Sequence, residues 1–320
     1  MITSKKIHFI SIGGSIMHSL AINLKFNGNI VTGSDDKIYD PSKSQLKKYK
    51  LYPRFIGYRK KNISKNLDFV IVGMHTKKNN IELLEAKKQK LKILSFPEFI
   101  RKFSQNKQRI IIAGSHGKST ITSIIMHVLK FANKDFDYLV GAKVNGFDFN
   151  IKLSDSPIII IEGDEYLSSP LDKRPKFLNY DHHIVLVNGI SWDHANVFPT
   201  LDIYLDQFKK LINKTSKGGS IIIYDGDHNI DKIIINPEEG KSIIKYNIHK
   251  NVIKNDKTYL ISNNKKIPIK IFGDHNMQNI SGALKVIKEL GVTENKFYQA
   301  IKSYSTPKIR LEKLKKLKNG

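Results

Sequence analysis

Residues 110–120 read IIIAGSHGKST, and this stretch decides the fold of the chain. The β-branched run at its start predicts a buried strand over Ile110–Ala113. An apolar stripe at helical spacing follows and predicts a helix over Ser119–Phe131. Strand, glycine turn and helix in this order are the layout of a phosphate-binding loop, so the sequence predicts a nucleotide site at the turn.

The residues of this turn suit a bound phosphate. Gly114 and Gly117 allow backbone N–H groups to approach an anion closely, and the helix N-terminus adds partial positive charge. Lys118 supplies a full charge for the terminal phosphates, and the Ser119 hydroxyl suits Mg²⁺. The usual loop has a glycine where Ile112 stands, which leaves the shorter pattern G-x-x-G-K-S. The alternative is an ordinary glycine turn with an incidental lysine.

Length and composition limit the possible classes of protein. A chain of 320 residues with 40% hydrophobic residues predicts about two domains with real cores. The sequence contains no cysteine, which excludes disulfides and thiolate metal sites. The N-terminal MITSKKIHFISIGG is typical of a first strand rather than a signal peptide, and no stretch has the length of a membrane span. We therefore expect a cytoplasmic protein that does not bind a membrane.

The chain is strongly basic, with a formal net charge of +25 from 54 Lys and Arg against 29 Asp and Glu. The lysines are spread along the whole chain among many Asn and Ile residues, a composition typical of an A+T-rich genome. A diffuse basic surface attracts polyanions, including nucleotides. Because no recognition module or aromatic-basic interleaving is present, we expect no specific nucleic-acid partner.

The first 106 residues predict a Rossmann-like domain. An apolar strand runs into Gly13-Gly14, a helix follows, and the next strand, Asn29–Thr32, ends in GSDD at 33–36. The glycine pattern is not G-x-G-x-x-G, which argues against a nicotinamide cofactor and leaves a nucleotide pyrophosphate at the helix N-terminus. The alternation continues with a strand, a helix and a polar linker: Asp68–Gly73, Asn80–Gln89 and Lys102–Gln108.

The second segment, residues 107–307, predicts a central ATPase domain of the phosphate-loop type. Continuous apolar runs of the kind that suit a parallel sheet covered on both faces occur at Ile110–Ala113, Pro157–Ile161, His183–Val187 and Ser220–Tyr224. Helical patterns occur at Ser119–Phe131, Leu201–Asn213, Asn276–Leu290 and Glu294–Ser303. The predicted fold class is therefore α/β with mainly parallel sheets.

Polar clusters follow two of these strands. Glu162, Asp164 and Glu165 come after Pro157–Ile161, and carboxylates this close together favour a hard cation over a solvated acidic turn. His194, in the run WDH, follows His183–Val187 and is either a metal ligand or an exposed loop residue.

A third polar run precedes a predicted helix. Residues 273–276, GDHN, begin the helix that also carries Asn279. The side-chain amides of Asn276 and Asn279 suit hydrogen bonding to an adenine edge. The alternative is that these polar residues simply cap the helix. Together with the phosphate loop and the acidic cluster, this set meets the needs of Mg-ATP.

These motifs, in order, resemble the Mur ligases, ATP-dependent amide-forming enzymes of peptidoglycan synthesis. The resemblance covers nearly the whole chain and rests on IGGSIMHSLA, TGSDD, AGSHGKST, EGDEY, SWDHANVF, GDHNMQN and KIRLE. The stretch EGDEYLSSPLDKRPKFLNY, followed by WDHANVFPT, is most similar to the branch that joins UDP-N-acetylmuramate to the murein tripeptide. The sister branch joins the same sugar nucleotide to L-alanine.

The resemblance implies a role for each motif. Lys118 would hold the β- and γ-phosphates, Ser119 and Glu162 would ligate a first Mg²⁺, and His194 a second. Lys118, Glu162 and His194 are thus the expected catalytic residues. The expected ATP-binding residues are Gly114, Ser115, His116, Gly117, Lys118, Ser119, Thr120, His275, Asn276, Asn279 and Arg310. The expected contacts to the sugar-nucleotide substrate are Gly13, Gly14, Ser15, Asp35, Asp164 and Glu165.

The reaction implied by the resemblance places two anions together. The lactyl carboxylate of the muramyl sugar attacks the γ-phosphate to give an acyl phosphate, and an amine then displaces phosphate to form the amide. Metal ions and Lys118 are needed to bring carboxylate and phosphate into contact.

The sequence departs from the family pattern in three places. Leu167 and Ile309 stand where an acid and an arginine are common, and the D-(Y/F)-A-H-x-P signature of a third, amine-binding domain is not found. Residues 308–320 would then be a stub of the hinge to that domain, and we expect such a chain to bind both nucleotides but form little amide. A binding protein without ligase activity and an ATPase unrelated to cell walls are the competing hypotheses.

Overall fold

The computed structural model describes residues 4–169, 172–234 and 240–306. The strands are β1 (Lys6–Ile10), β2 (Ile30–Ser34), β3 (Phe69–Val72), β4 (Ile93–Ser95), β5 (Gln108–Ala113), β6 (Asp137–Leu139), β7 (Ile151–Lys152), β8 (Ile158–Glu162), β9 (Ile184–Val187), β10 (Ser220–Tyr224), β11 (Ser242–Tyr246), β12 (Asn251–Lys254), β13 (Lys257–Ser262) and β14 (Lys265–Ile269). The α-helices are α1 (Met17–Phe26), α2 (Ser42–Lys48), α3 (Ile81–Lys88), α4 (Phe96–Phe103), α5 (Lys118–Phe131), α6 (Leu201–Asn213), α7 (His228–Ile233), α8 (Asp274–Glu289) and α9 (Glu294–Ile301). Short 3₁₀ helices lie at Lys60–Asn62 and Lys176–Asn179.

The N-terminal part is a four-stranded sheet in the order β2-β1-β3-β4, and every pair is parallel. Strand β2 extends two residues beyond the predicted end, because Gly33 and Ser34 pair with Phe9 and Ile10 of β1. A Cβ on Gly33 would lie 2.5 Å from Ile12 Cδ1, so this glycine serves close packing within the strand rather than a turn. Asp35 follows directly at the carboxyl end of the strand.

The second sheet has seven strands in the order β11-β10-β9-β5-β8-β6-β7, and it is parallel except for β7, which runs antiparallel to β6. Alternate residues of the central strand β5 enter different cores. Ile111 and Ala113 join a cluster that includes α6, whereas Ile110 and Ile112 join one that includes α5 and α8. The sheet is thus covered on both faces, which confirms the predicted α/β fold.

Strands β12, β13 and β14 form a separate antiparallel sheet that the sequence prediction missed. Two-residue turns, Asn255-Asp256 and Asn263-Asn264, join the strands, and all four residues have positive φ. Asn and Asp tolerate this conformation, and paired positive φ values are typical of tight hairpins. These two dipeptides are the sequence features from which the hairpins could have been predicted.

The two larger sheets share one buried core. Phe9 and Leu20 of the N-terminal part belong to the same apolar cluster as Ile111 and Val185 of the second sheet. Polar contacts also join the parts, because the Leu153 carbonyl beyond β7 accepts a 2.7 Å hydrogen bond from the α1 C-cap residue Asn27. Within the described residues, no helix has the length and apolar character needed to cross a bilayer.

The segment predicted as a polar linker, Lys102–Gln108, is shorter than expected. Helix α4 continues to Phe103 and β5 begins at Gln108, so only residues 104–107 connect them. Lys107 is buried, with its ammonium group 2.9 Å from Asp137 Oδ2 and donating to the Ser154 carbonyl at 2.7 Å. The connection is therefore anchored to the second sheet by a buried ion pair.

Replacing Lys107 with methionine should lower the free energy of unfolding by about 3–5 kcal/mol, because Asp137 would remain buried without its cation. Urea denaturation measures the change. The control is Lys5→Met, which breaks the partly exposed Lys5–Asp68 pair at 3.2 Å and should cost about 0–1 kcal/mol. Equal losses in the two variants would contradict the role given to Lys107.

Stability should also depend on a buried histidine. His182 is fully buried with Nε2 3.0 Å from Thr215 Oγ1, and burial lowers its pKa from 6.5 to about 3. Between these values the unfolded chain binds a proton that the folded chain excludes. The stability is therefore complete above the unfolded pKa and falls as the pH drops below it, by at most about 1.4 kcal/mol per pH unit.

Urea titrations at several pH values measure this slope. His182→Gln should reduce the slope, whereas His228→Gln should leave it unchanged because the His228 side chain is fully exposed. A slope unaffected by His182→Gln would show that another group is responsible.

Candidate functional site

The predicted phosphate loop connects β5 to α5. Gly114 and Gly117 have φ values of 127° and 78°, which glycine adopts without strain. A Cβ on Gly117 would lie 2.3 Å from both Asn188 Nδ2 and Asn279 Oδ1. The loop is therefore closed against these two amides, and no larger residue fits at position 117.

Lys118 is the first residue of α5, and its ammonium group has hydrogen-bond partners in two residues. Its Nζ donates to the Gly114 carbonyl at 2.6 Å and to the Glu165 carboxylate at 2.9 and 3.1 Å. The lysine thus lies at the loop, as predicted, with a carboxylate beside it. A phosphate at this position would compete with Glu165 for the charge.

Ser119 and Glu162, which the sequence predicted to share a metal ion, are in direct contact. The Ser119 hydroxyl donates to Glu162 Oε1 at 2.6 Å, and the Gly141 N–H donates to Oε2 at 2.7 Å. Hydroxyl and carboxylate oxygens are the ligands that Mg²⁺ prefers, so this donor set fits the ion. The structure brings the pair together, and its ligation of a metal remains a prediction.

His194 belongs to a second cluster of possible ligands. One donor atom each from Glu165, Asp193 and His194 lies within 4.8 Å of the others. His194 Nε2 is 3.4 Å from Glu165 Oε1 and 3.9 Å from Asp193 Oδ2, and its ring contacts Tyr166 edge-on at 5.2 Å. This arrangement suits a divalent cation and adds Asp193, which was not among the predicted site residues.

Asp164 is paired with a different cation. Lys176 Nζ is 2.5 Å from Asp164 Oδ2. Burial raises the pKa of Asp164, but the Lys176 charge and hydrogen bond outweigh burial and hold that pKa below its usual value. The carboxylate therefore stays ionised and paired at neutral pH.

The glycine turn after β1 is organised by Asp35. The Gly13 N–H donates to Asp35 Oδ2 at 2.7 Å, and a Cβ on Gly13 would lie 2.9 Å from the same oxygen. Burial raises the pKa of Asp35, which the Gly13 hydrogen bond opposes. Tyr58 lies beside it, with its hydroxyl 2.9 Å from Ser11 Oγ, and burial raises its pKa to about 12.

Two adjoining cavities connect this turn to the phosphate loop. The larger, of about 910 Å³, is lined by Gly13, Gly14, Ser15 and Asp35, among others. The smaller, of about 390 Å³, is lined by residues that include Ser115, Lys118, Glu162, Asp164, Glu165 and His194. Both are lined by Ser15, Ile16, Phe96 and Lys176, so the two cavities adjoin at these residues, and the pair is called the groove below.

The predicted adenine residues lie on the first turns of α8. His275 is exposed, and Asn276 donates to the Phe272 carbonyl at 2.7 Å. Asn279 is buried and its Oδ1 accepts from Asn188 at 2.9 Å, so its amide braces the loop here, and adenine recognition by Asn279 remains a prediction. Arg310 lies outside the described residues.

The other loop residues are held by neighbours. Ser115 Oγ donates to the Ser191 carbonyl at 2.7 Å and lies 3.2 Å from the Tyr204 hydroxyl, while the His116 carbonyl accepts from Asn188 at 3.2 Å. Thr120 is buried in the first turn of α5.

Two supporting residues escaped the sequence analysis. Asn188 follows β9 directly, and the carboxyl end of a predicted parallel strand was a usable signal for it. Tyr204 is a buried residue of α6, where helical periodicity indicates only packing.

The sequence matches two domain families. It matches the Mur ligase middle domain over residues 112–287 and the Mur ligase family catalytic domain over residues 6–108. The chain belongs to the Mur ligase family. Mur ligases are ATP-dependent enzymes that form amide bonds in peptidoglycan synthesis.

Curated relatives support the same assignment. A UDP-N-acetylmuramate–L-alanine ligase of Clostridium botulinum (strain Okra / Type B1) is 30% identical over 331 aligned positions, which cover 99% of this chain and 69% of the relative. A protein of the same name from Caldicellulosiruptor bescii is also 30% identical, with coverage of 97% and 69%.

Solved structures share the fold. A UDP-N-acetylmuramate:L-alanyl-gamma-D-glutamyl-meso-diaminopimelate ligase from Neisseria meningitides superimposes with a TM-score of 0.83 at 24% identity, covering 96% of this chain and 100% of that one. A UDP-N-acetylmuramate–alanine ligase from Thermotoga maritima gives a TM-score of 0.71 at 20% identity, with coverage of 93% and 68%.

Lys118→Ala should weaken Mg-ATP binding by more than about tenfold, because a charge-assisted phosphate contact contributes about 1.5–3 kcal/mol. Isothermal titration calorimetry measures the affinity. Lys134→Ala, which removes an exposed lysine just beyond α5, is the control and should bind as the wild type does. Unchanged affinity in Lys118→Ala would argue against a phosphate site at this loop.

Proposed function

We propose that this chain binds Mg-ATP and UDP-N-acetylmuramate and activates the lactyl carboxylate of the sugar for amide formation. The observation that carries the proposal is the pair of adjoining cavities between the glycine turn after β1 and the phosphate loop before α5. A sugar nucleotide in the larger cavity would extend its carboxylate into the smaller one, where Lys118 lies. The names of the curated relatives supply the substrate.

Under this proposal, the parts of the chain that contain the two larger sheets bind different substrates. Residues 1–106 hold the uridine diphosphate part through Gly13, Gly14, Ser15 and Asp35, and residues 107–307 hold Mg-ATP. Ser119 and Glu162 would hold one Mg²⁺, and His194 with Glu165 and Asp193 a second. Bound Mg²⁺ would screen the charges of the carboxylate and the phosphates.

The side chains address the repulsion between the two anionic reactants. Lys118 is oriented by the Gly114 carbonyl, and its charge would meet a phosphate in exchange for its contact with Glu165. One carboxylate oxygen forms a bond to the γ-phosphorus as the bond to the bridging oxygen breaks and ADP leaves. The amine nitrogen then attacks the carbonyl carbon, loses a proton, and phosphate departs with the original carboxylate oxygen.

The amine is L-alanine or the murein tripeptide. The curated relatives are named for L-alanine, whereas the Neisseria structure is named for the peptide. A cytoplasmic location fits the proposal, since ATP and the sugar nucleotide are cytoplasmic substrates.

Oxygen transfer tests the proposed activation directly. UDP-N-acetylmuramate labelled with ¹⁸O in its carboxylate is incubated with the protein, Mg-ATP and either amine. The released phosphate should carry one ¹⁸O atom by mass spectrometry, because a carboxylate oxygen leaves with it. Attack of an amine or of water at the carbonyl carbon gives this result, whereas attack of water at the phosphorus returns the label to the carboxylate. The mass of the nucleotide product identifies the amine.

Two outcomes would contradict the proposal. Unlabelled phosphate that is released equally fast without the sugar nucleotide would show that water attacks ATP directly, as in a simple ATPase. Binding of both nucleotides with no phosphate release would favour the alternative of a binding protein without ligase activity.

A further inference from the structure

We propose that Lys176 binds the carboxylate of the sugar-nucleotide substrate and so distinguishes a muramyl nucleotide from one without a carboxylate. This inference rests on the proposed function and assigns a residue to the substrate's acidic group. It starts from position, because Lys176 is the lysine found among the described residues that line both cavities.

Each cavity is also lined by other lysines, which suit other groups of the ligands. Lys37 and Lys77 line the larger cavity and are exposed, which suits them to the diphosphate end of the substrate. Lys118 lines the smaller cavity and belongs to the phosphate loop. Lys176 stands where the substrate passes from one cavity to the other.

Apart from its lysines, the lining of the smaller cavity would repel a carboxylate. Its lining includes four acidic side chains: Glu162, Asp164, Glu165 and Asp193. A fifth carboxylate entering among them is repelled unless a cation accompanies it. Since Lys118 is required for the phosphates of ATP, Lys176 is the lysine that remains, among the described residues of this lining, to receive the acidic group of the sugar.

The backbone around Lys176 is firmly held, so its charge has a defined place. The Lys176 N–H donates to the Tyr166 carbonyl at 2.9 Å, and the next N–H, of Phe177, donates to the Asp164 carbonyl at 3.1 Å. Phe177 is fully buried and contacts Phe208 of α6 with ring centroids 5.4 Å apart. The anchored backbone fixes the point from which the Lys176 side chain extends, so no ordering of this turn is needed when the lysine binds an anion.

The ion pair with Asp164 orients the Lys176 side chain. The Lys176 side chain is 19% exposed, against 46% for Asp164, and its ammonium group already pairs with the Asp164 carboxylate. A substrate carboxylate would share or replace that partner. The lysine therefore favours an anion at the junction over a neutral group, which is the basis of the discrimination.

Calorimetry with three nucleotides in the absence of ATP tests the inference. The probes are UDP, UDP-N-acetylglucosamine, which lacks the lactyl carboxylate, and UDP-N-acetylmuramate. In the wild type the muramyl nucleotide should bind more tightly than the glucosamine nucleotide. Lys176→Met should weaken the binding of UDP-N-acetylmuramate by about tenfold or more, which is the usual effect of losing one charge-assisted hydrogen bond. The affinities for the other two probes should be nearly unchanged.

Three further variants separate binding from folding. Lys173→Met removes an exposed lysine three residues away and should retain the preference for the muramyl nucleotide. Lys176→Arg keeps the charge and should retain much of the preference. Lys176→Gln still offers Asp164 a hydrogen bond, so it provides the neutral variant should Lys176→Met fail to fold, and it should lose the preference.

The possible outcomes are distinct. An equal loss for UDP-N-acetylglucosamine and UDP-N-acetylmuramate would place Lys176 at the diphosphate and overturn the inference. A preference that survives in both neutral variants would overturn it too, while leaving the proposed function intact. A wild type that binds none of the three probes would refute the proposed function itself, and the inference with it.

Discussion

Parallel pairing of β5 with β8 on one side and β9 on the other is the constraint on which the site depends. The register sets Ile112 opposite Glu162 and Ala113 opposite Val187, so three strands end at the same level. The residues that follow each strand therefore emerge side by side: the phosphate loop, the acidic run and Asn188. These residues are far apart in the sequence, and the sheet brings them close together in space. This is a general property of doubly wound folds.

This convergence concentrates charge, and the structure balances it internally. Glu165 faces Lys118, Asp164 faces Lys176, and Glu162 accepts from Ser119 and Gly141. Each of these contacts occupies an atom that the proposed function assigns to a phosphate, a metal ion or a carboxylate. Binding would then be an exchange of partners rather than a filling of vacant positions. Such an exchange favours ligands that bring the right charge to each place, because a neutral ligand would have to break a pair without replacing it.

The sequence predicted the parts of the molecule that periodicity and strand ends control. Runs such as Ile110–Ala113 identify central strands because both faces are buried, and the residues after them were assigned to the site for that reason. Periodicity alone did not reveal the β12–β14 sheet, whose strands are short and half exposed. It did not reveal Tyr204 either, since a buried helical position looks the same whether its hydroxyl has a partner or not.

Lys176 shows a further limit of sequence reasoning. It begins a four-residue 3₁₀ helix after Pro175, in a segment with no periodic pattern, and its neighbours include several other charged residues. Nothing in the sequence separates it from Lys173. Its position depends on the buried ring of Phe177 and on hydrogen bonds to residues 164–166, which are long-range consequences of the fold.

The groove itself depends on how the two large sheets meet. Ser95 is both the last residue of β4 and the N-cap of α4, where it forms a capping box with Glu98. The next residue, Phe96, is buried and lines both cavities, so the edge strand of the N-terminal sheet directly shapes the passage to the second sheet. On another side, Asn23 and Asn27 of the α1 region bond both backbone groups of Leu153. Because these contacts fix one sheet against the other, they also fix the distance from the Gly13 turn to Lys118, and with it the length of substrate that can engage both.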